Sequence, residues 1–281
     1  MKFYTFLFIA LLCSFFVSAT GDRLYVVEQD REIFDRYIHS ITADGYTSQE
    51  VIMATAAFLL DVPYVATTLE KDPEGLVINL RELDCTTFVE TVFALSKTIV
   101  DGSPSFESFC ENLKQFRYRN GVIAGYASRL HYTTDWIYEN SQKGLVEDVT
   151  KEIGGESLPV ELFFMSRNAD KYKLLKGNPD LIADMAAIEK SVNNRLYYFI
   201  PKDRIEACRE GIKDGDMLCF VTSVAGLDVS HVGIAKWESG RLTFVHASSS
   251  LKKVVVQPGT LQEYALASSS NKGIIVVRSQ F

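Results

Sequence analysis

The sequence predicts an α+β domain in which a helix that starts at a cysteine packs on an antiparallel β-sheet. Three observations carry this. The first half of the 281-residue chain reads as helices, the last third reads as closely spaced strands, and a polar pair, Asp84-Cys85, opens a long apolar helical run. Helices followed by a block of adjacent strands point to an α+β order rather than an alternating α/β one.

Along the chain, residues 30–39 form a first short helix. Thr47-Ser48-Gln49-Glu50 is a capping box opening a helix towards Leu60, which Asp61-Val62-Pro63-Tyr64 ends. A loop with Pro73 and Gly75 leads through Val77-Ile78-Asn79-Leu80 into the Cys85 helix, which continues to about Val100. Ser103-Pro104 has the form of an N-cap and first turn for a helix through Phe116. Residues 118–200 are less regular, with helices over 135–140 and 179–192 and long connections at 121–125 and 154–159. They read as an insertion that walls a substrate cleft. Strands follow over 216–222, 231–237, 241–247, 252–257 and 273–278.

A chain of this length with 47% hydrophobic residues buries a full core, in one large or two small domains. The net charge of −7 lacks the basic footprint of a nucleic-acid binder, and no internal repeat or low-complexity tract is present. Residues 1–19 read as a signal peptide: Met1-Lys2 is a positive start, residues 3–17 are almost wholly apolar, and Val17-Ser18-Ala19 suits cleavage. Cys13 follows Leu12, where lipid attachment calls for a small residue. The expectation is a single catalytic domain, residues 20–281, exported to the periplasm and not membrane-spanning. Of the other cysteines, Cys85, Cys110, Cys208 and Cys219, none forms a Cys-x-x-Cys pair. The histidine spacing suggests no zinc site. No metal or cofactor is expected.

The chemistry sits in two places. Cys85 starts a helix, where the helix dipole and a nearby imidazolium lower a thiol pKa to roughly 3.5–7.5. Two of the four histidines, His231 and His246, fall in one hairpin. With Ser239-Gly240 as a two-residue turn, Glu238 faces Arg241, so His231 faces Ser248 and His246 faces Gly233. Both imidazoles then project from one sheet face as diagonal neighbours roughly 7–8 Å apart, and Gly233 leaves room for the second ring. A one-residue slip would part them. A thiol, a base and an orienting group are the parts of a cysteine hydrolase. A lone cysteine here would read as a small buried hydrophobe; the paired histidines favour catalysis.

These residues resemble the NlpC-like branch of papain-fold cysteine peptidases, which cleave bacterial cell-wall peptides. The ordered pattern is Pro63-Tyr64, Asp84-Cys85, Gly215-Asp216, His231-Val232-Gly233-Ile234 and His246-Ala247, spanning about residues 47–260. The resemblance implies Cys85 as nucleophile, His231 as base and His246 as third polar residue, with the Cys85 N–H helping to hold the oxyanion. It places Tyr64 at the cleft and gives Asp84 either a polar substrate group or a helix cap. Thr86-Thr87 stands where the family usually has Ser-Gly, a departure from the γ-D-glutamyl endopeptidases, in which Tyr, Asp and that Ser help recognise a free N-terminal L-alanine; Thr86 retains a hydroxyl and is, with Tyr64 and Asp84, a candidate to bind substrate. The arrangement is closer to an exported subgroup identified with N-acetylmuramoyl-L-alanine amidases.

The implied substrates are peptidoglycan fragments (muropeptides), cut between N-acetylmuramic acid and L-alanine. The rivals are a γ-D-glutamyl-diamino acid endopeptidase and a non-catalytic cell-wall binding module. Within the insertion, Arg129, Tyr132, Asp135 and Trp136 are candidates for the sugar side, with Arg129 pairing a substrate carboxylate. The alternative there is a capped helix start with Trp136 in the core.

Overall fold

The computed structural model describes residues 15–17, 22–41, 45–102 and 104–281. Of the expected leader only Phe15–Val17 is among them, as strand β1 paired antiparallel with β2 (Arg23–Tyr25). The rest of residues 1–19 and the cleavage site lie outside the described residues. Strand β2 also pairs in parallel with β3 (Leu76–Val77).

The helices of the first half are α1 (Glu28–Ser40), α2 (Ser48–Phe58), α3 (Cys85–Val100) and α4 (Phe106–Arg117). Thr47 caps α2 as expected, accepting from Glu50 N–H at 3.3 Å. The start of α4 differs from expectation. Ser105, not Ser103, is its N-cap, because Ser105 Oγ accepts from Ser108 N–H at 3.0 Å and Ser108 Oγ answers Ser105 N–H at 3.0 Å. Pro104 therefore precedes the cap and lies outside the first turn.

Residues 118–200 are more ordered than their sequence suggests. They supply α5 (Thr133–Gln142), α6 (Phe164–Arg167), α7 (Pro179–Val192), β4 (Val146–Asp148), β5 (Glu156–Leu158) and β6 (Tyr197–Pro201). The last part contains α8 (Ile205–Cys208), β7 (Met217–Thr222), β8 (Val229–Glu238), β9 (Arg241–Ser248), β10 (Lys253–Val256), α9 (Leu261–Ala267) and β11 (Asn271–Ser279). The main sheet runs β10-β9-β8-β7-β11-β6-β5, with β4 also on β11, and all its pairs are antiparallel. The 118–200 segment thus extends the sheet as well as walling its surface.

The sheet is covered on both faces. On one lies α3, buried on nearly every side from Thr87 to Ile99, against α2, α4, β8 and β9. A helix apolar all round belongs inside a protein, and α3 is the centre of the larger core, with Phe88, Val92 and Phe93 fully buried. On the other face α9 covers Phe220, Phe244 and Ile274.

Two ion pairs fix helices and loops around α3. The buried Asp30 of α1 accepts from Leu80 N–H at 2.9 Å and Arg81 Nε at 3.0 Å, anchoring the approach to Cys85. Glu90 of α3 accepts from Arg117 Nε at 2.7 Å, and Arg117 also donates to the Val77 carbonyl at 2.7 Å. Both side chains are about 3% exposed. Removing one partner of such a pair strands a buried charge, at a cost of about 3–5 kcal/mol. Glu90→Leu is therefore expected to lower unfolding stability by about that amount in denaturant titration, and Glu90→Leu with Arg117→Leu to recover much of it. A double variant as unstable as the sum of the singles would contradict this role.

Candidate active site

Cys85 is the first residue of α3 and is held there by a reciprocal cap. Asp84 Oδ1 accepts from Thr87 N–H at 2.8 Å, and Thr87 Oγ1 accepts from Asp84 N–H at 2.9 Å. Of the two roles open to Asp84, the cap is the one seen in its hydrogen bonds. The first-turn N–H groups of a helix lack intrahelical partners, which leaves the Cys85 N–H available beside its own thiol. Backbone hydrogen bonds from Val232, the residue after His231, and from Thr86 reach the sulfur.

The histidines come from the β8–β9 hairpin. Ser239 and Gly240 both have positive φ, 52° and 78°, the backbone of a two-residue turn whose twist matches the strands. Glu238 faces Arg241 and Ile234 faces Val245, the register read from the sequence. A Cβ on Gly233 would stand 3.2 Å from His246 Cβ and 2.9 Å from the Val245 carbonyl oxygen, so glycine is needed for the second ring to lie there. His231 Nε2 and His246 Nδ1 are 2.7 Å apart, with the rings nearly perpendicular at 84°. Phe220, Phe244 and Tyr264 surround the pair, at 5.7, 6.5 and 6.1 Å from the His231 ring.

Cys85, Thr86 and His231 line one cleft of about 170 Å³, whose lining also includes His131, Tyr132 and Tyr172. It opens where β8 begins, at an irregularity that leaves Ser230 unpaired between Phe220–His231 and Val221–Val229. Tyr64 stands at the cysteine's side. Burial pushes its phenol pKa up, and the charges of Cys85 and Asp84 add to the shift.

Burial dominates the electrostatics. It pushes the Cys85 thiol up to about 11, with Asp84 adding to the shift and hydrogen bonds from Val232 and Thr86 opposing it. This runs against the expected depression: desolvation and the neighbouring Asp84 raise the thiol more than its hydrogen bonds lower it. Burial likewise pushes His231 down to about 3, with His246 adding to the effect, and His246 down to about 4. The thiol and both imidazoles are thereby held in their neutral forms. His246 Nε2 is buried without a hydrogen-bond partner, and the Gln257 side chain on the same sheet face counters part of its shift.

The candidates from residues 118–200 divide. Tyr132 lines the cleft, but its hydroxyl is occupied, donating to Glu189 at 2.7 Å and accepting from Met165 N–H at 2.9 Å. Arg129, expected to meet a substrate carboxylate, is instead buried against Glu70 at 2.9 Å and Glu74 at 3.4 Å. Asp135 is enclosed between Arg119 at 2.5 Å and Arg195 at 2.8 Å. Trp136 stacks on Phe116 in the core, centroids 6.0 Å apart and 12° from parallel. These three hold the wall rather than line it. The partners that take them out of the cleft lie 16 to 60 positions away, a separation no local pattern reveals.

Sequence reasoning passed over two cleft residues. His131 lies inside the segment it singled out. Asp228, just ahead of β8, is fully enclosed, accepting from Thr134 N–H at 2.7 Å, Thr134 Oγ1 at 2.8 Å and Val229 N–H at 2.7 Å. A lone aspartate before a strand carries no signal of that role. Among the described residues, no group of three or more His, Cys, Asp and Glu could hold a metal ion, all four cysteines are unpaired, and no helix is long and apolar enough to cross a membrane.

Known structures resemble this one over most of its length. An N-acetylmuramoyl-L-alanine amidase from Bacteroides uniformis ATCC 8492, solved at 1.15 Å, is 39% identical, covering 83% of this chain and 99% of its own, with a TM-score of 0.79. A second crystal structure bearing the same description, at 1.30 Å, is 40% identical over 82% of this chain and 99% of its own, with a TM-score of 0.78. Protein LPG0564 from Legionella pneumophila str. Philadelphia 1, at 23% identity over 90% of this chain and 95% of its own, shares the fold with a TM-score of 0.68. No curated protein matches the chain. The family described as AmiA-like, N-acetylmuramoyl-L-alanine amidase-like, matches residues 54–274, and the chain belongs to it.

Proposed function

We propose that this chain is an exported, periplasmic cysteine amidase of papain-like, NlpC type that cleaves the bond between N-acetylmuramic acid and L-alanine in peptidoglycan fragments. The observation that carries the reading is that Cys85 and His231 line one cleft while His246 holds His231 at 2.7 Å. Family membership and the named activity of the Bacteroides uniformis relative support the bond choice.

The contact allows two tautomers, and only one of them leaves a base for Cys85. Two neutral imidazoles 2.7 Å apart share one proton between Nε2 of His231 and Nδ1 of His246. If His231 donates it, Nδ1 of His231 keeps a lone pair and can act as a base; the reverse tautomer cannot. His231 Nδ1 takes the Cys85 proton as sulfur attacks the lactyl carbonyl, and the Cys85 N–H receives the developing oxyanion. The carbon–nitrogen bond then breaks as the imidazolium protonates the leaving amine of L-alanine. Water, deprotonated by His231, attacks the thioester, giving the muramic acid carboxylate and the free thiol. His246 orients His231 and stabilises its transient charge, as the third member of other triads does. Sequestration of thiol and imidazole suits this route: each alone resists charging, whereas the pair charges together.

The γ-D-glutamyl endopeptidase reading keeps one observation in its favour, the proximity of Tyr64 and Asp84 to Cys85. Product masses separate the two. On a muramoyl-tetrapeptide the wild type is expected to release free N-acetylmuramic acid and intact tetrapeptide, and Cys85→Ala neither. A muramoyl-dipeptide product would establish the endopeptidase instead.

His231→Ala is expected to lower kcat/KM by about 10²–10⁴-fold, the usual contribution of a positioned general base. A loss below threefold would remove His231 from the base's role. The free enzyme's kcat/KM should keep its value below pH 6.5, since His231 is held neutral far into acid, and iodoacetamide labelling of Cys85 should still be rising above pH 9. An acid limb at or above 6.5 would mean that His231 titrates as an ordinary imidazole, and a labelling plateau below pH 7 would mean a preformed thiolate–imidazolium pair.

A further inference from the structure

One cleft histidine has no part in the proposed chemistry. His131 Nε2 lies 2.9 Å from the Tyr126 carbonyl oxygen. A carbonyl only accepts, so Nε2 carries the ring proton and Nδ1 carries a bare lone pair. The ring is fixed against Tyr126, with centroids 4.4 Å apart. Burial, reinforced by the nearby Arg129 charge, pushes its pKa down to about 3, so it stays neutral at working pH. The ring borders both the Cys85 cleft and a smaller hollow beside it, under Trp136 and Val232. Nδ1 is not among the buried polar atoms without a partner, and no protein group hydrogen-bonds to it. With Nε2 held by Tyr126, Nδ1 is the remaining polar edge of a ring that lines the cleft. Other fixed acceptors on this wall are occupied: Asp228 by Thr134 and Val229, and the Tyr132 hydroxyl by the Met165 N–H.

We infer that His131 Nδ1 is a specificity-determining hydrogen-bond acceptor for a secondary amide N–H of the substrate. The inference deepens the proposed function and rests on that reading of the cleft. A muropeptide offers this chemistry from two sources, the peptide amides and the acetamido group of the sugar. An acceptor held by its own second nitrogen gives direction without the cost of ordering a flexible side chain. A ligand bound without it leaves an N–H unpaired in an enclosed site, which is how such sites reject wrong partners.

The test measures binding by calorimetry on the full chain carrying Cys85→Ala. N-acetylmuramoyl-L-alanyl-D-isoglutamine is compared with N-acetyl-L-alanyl-D-isoglutamine, which lacks the sugar. Adding His131→Phe, which keeps a ring but no lone pair, should weaken binding about tenfold. His131→Asn, which restores an acceptor, should stay within about threefold of the parent. Loss with both ligands assigns the partner to a peptide amide; loss with the muramoyl ligand alone assigns it to the acetamido group. Affinity unchanged in His131→Phe, or falling equally in the Phe and Asn variants, overturns the inference. Product masses from the wild type judge the proposed function separately. A muramoyl-dipeptide product together with a tenfold loss in His131→Phe would keep this acceptor and discard the amidase reading, and free muramic acid with no loss would do the reverse.

Discussion

The site depends on the register of the β8–β9 hairpin. Side chains alternate across a sheet with a period of two, so the turn at Ser239 and Gly240 decides whether His231 and His246 share a face. Their positive φ values give a turn with the strands' own twist, Glu238 meets Arg241, and the two rings arrive within hydrogen-bond distance. Gly233 is part of the same constraint, because a side chain there would press on His246 and the Val245 carbonyl. Around this hairpin the fold brings the N-terminus of α3 to the backbone of Val232, one residue from His231.

The second constraint is desolvation. Phe220, Phe244 and Tyr264 enclose the imidazoles, and the core encloses the thiol's helix. Each ionisable group is thereby pushed towards its neutral form, against the hydrogen bonds that Val232 and Thr86 make to Cys85. On the proposed reading, the chemistry resembles a hydroxyl–imidazole pair, in which the proton moves as the nucleophile attacks, more than a standing ion pair. The wall from residues 118–200 is built on the same logic of pairing buried charge: Arg129 with Glu70 and Glu74, Asp135 with Arg119 and Arg195.

What the sequence revealed and what it hid divide by range. The Cys85 helix, the Thr47 cap and the hairpin register depend on residues within a few positions of one another, and local pattern suffices for them. The sequence offers Ser103 as the cap of α4, two residues early, because Pro104 is a good helix opener, and only the Ser105–Ser108 exchange decides for Ser105. The two-faced burial of the sheet and the strands at 146–148, 156–158 and 197–201 were not legible, since they are specified by β11 and by each other. Arg129 and Trp136 have the chemistry of sugar-binding residues. Their long-range partners make one an ion-pair anchor and the other core. The thiol pKa failed as an expectation for a related reason: the helix terminus is visible in sequence, but the burial that opposes it is not.

The central claim is that His231 donates through Nε2 to His246 and so keeps Nδ1 free as the base for Cys85. Nitrogen-15 NMR of the histidine rings tests it most directly, because a proton shared between two nitrogens couples them across the hydrogen bond. The account predicts a coupling between His231 Nε2 and His246 Nδ1 near neutral pH, with the proton on His231 Nε2 and an unprotonated His231 Nδ1. A His231 ring protonated at Nδ1, or no coupling between the two rings, would contradict it.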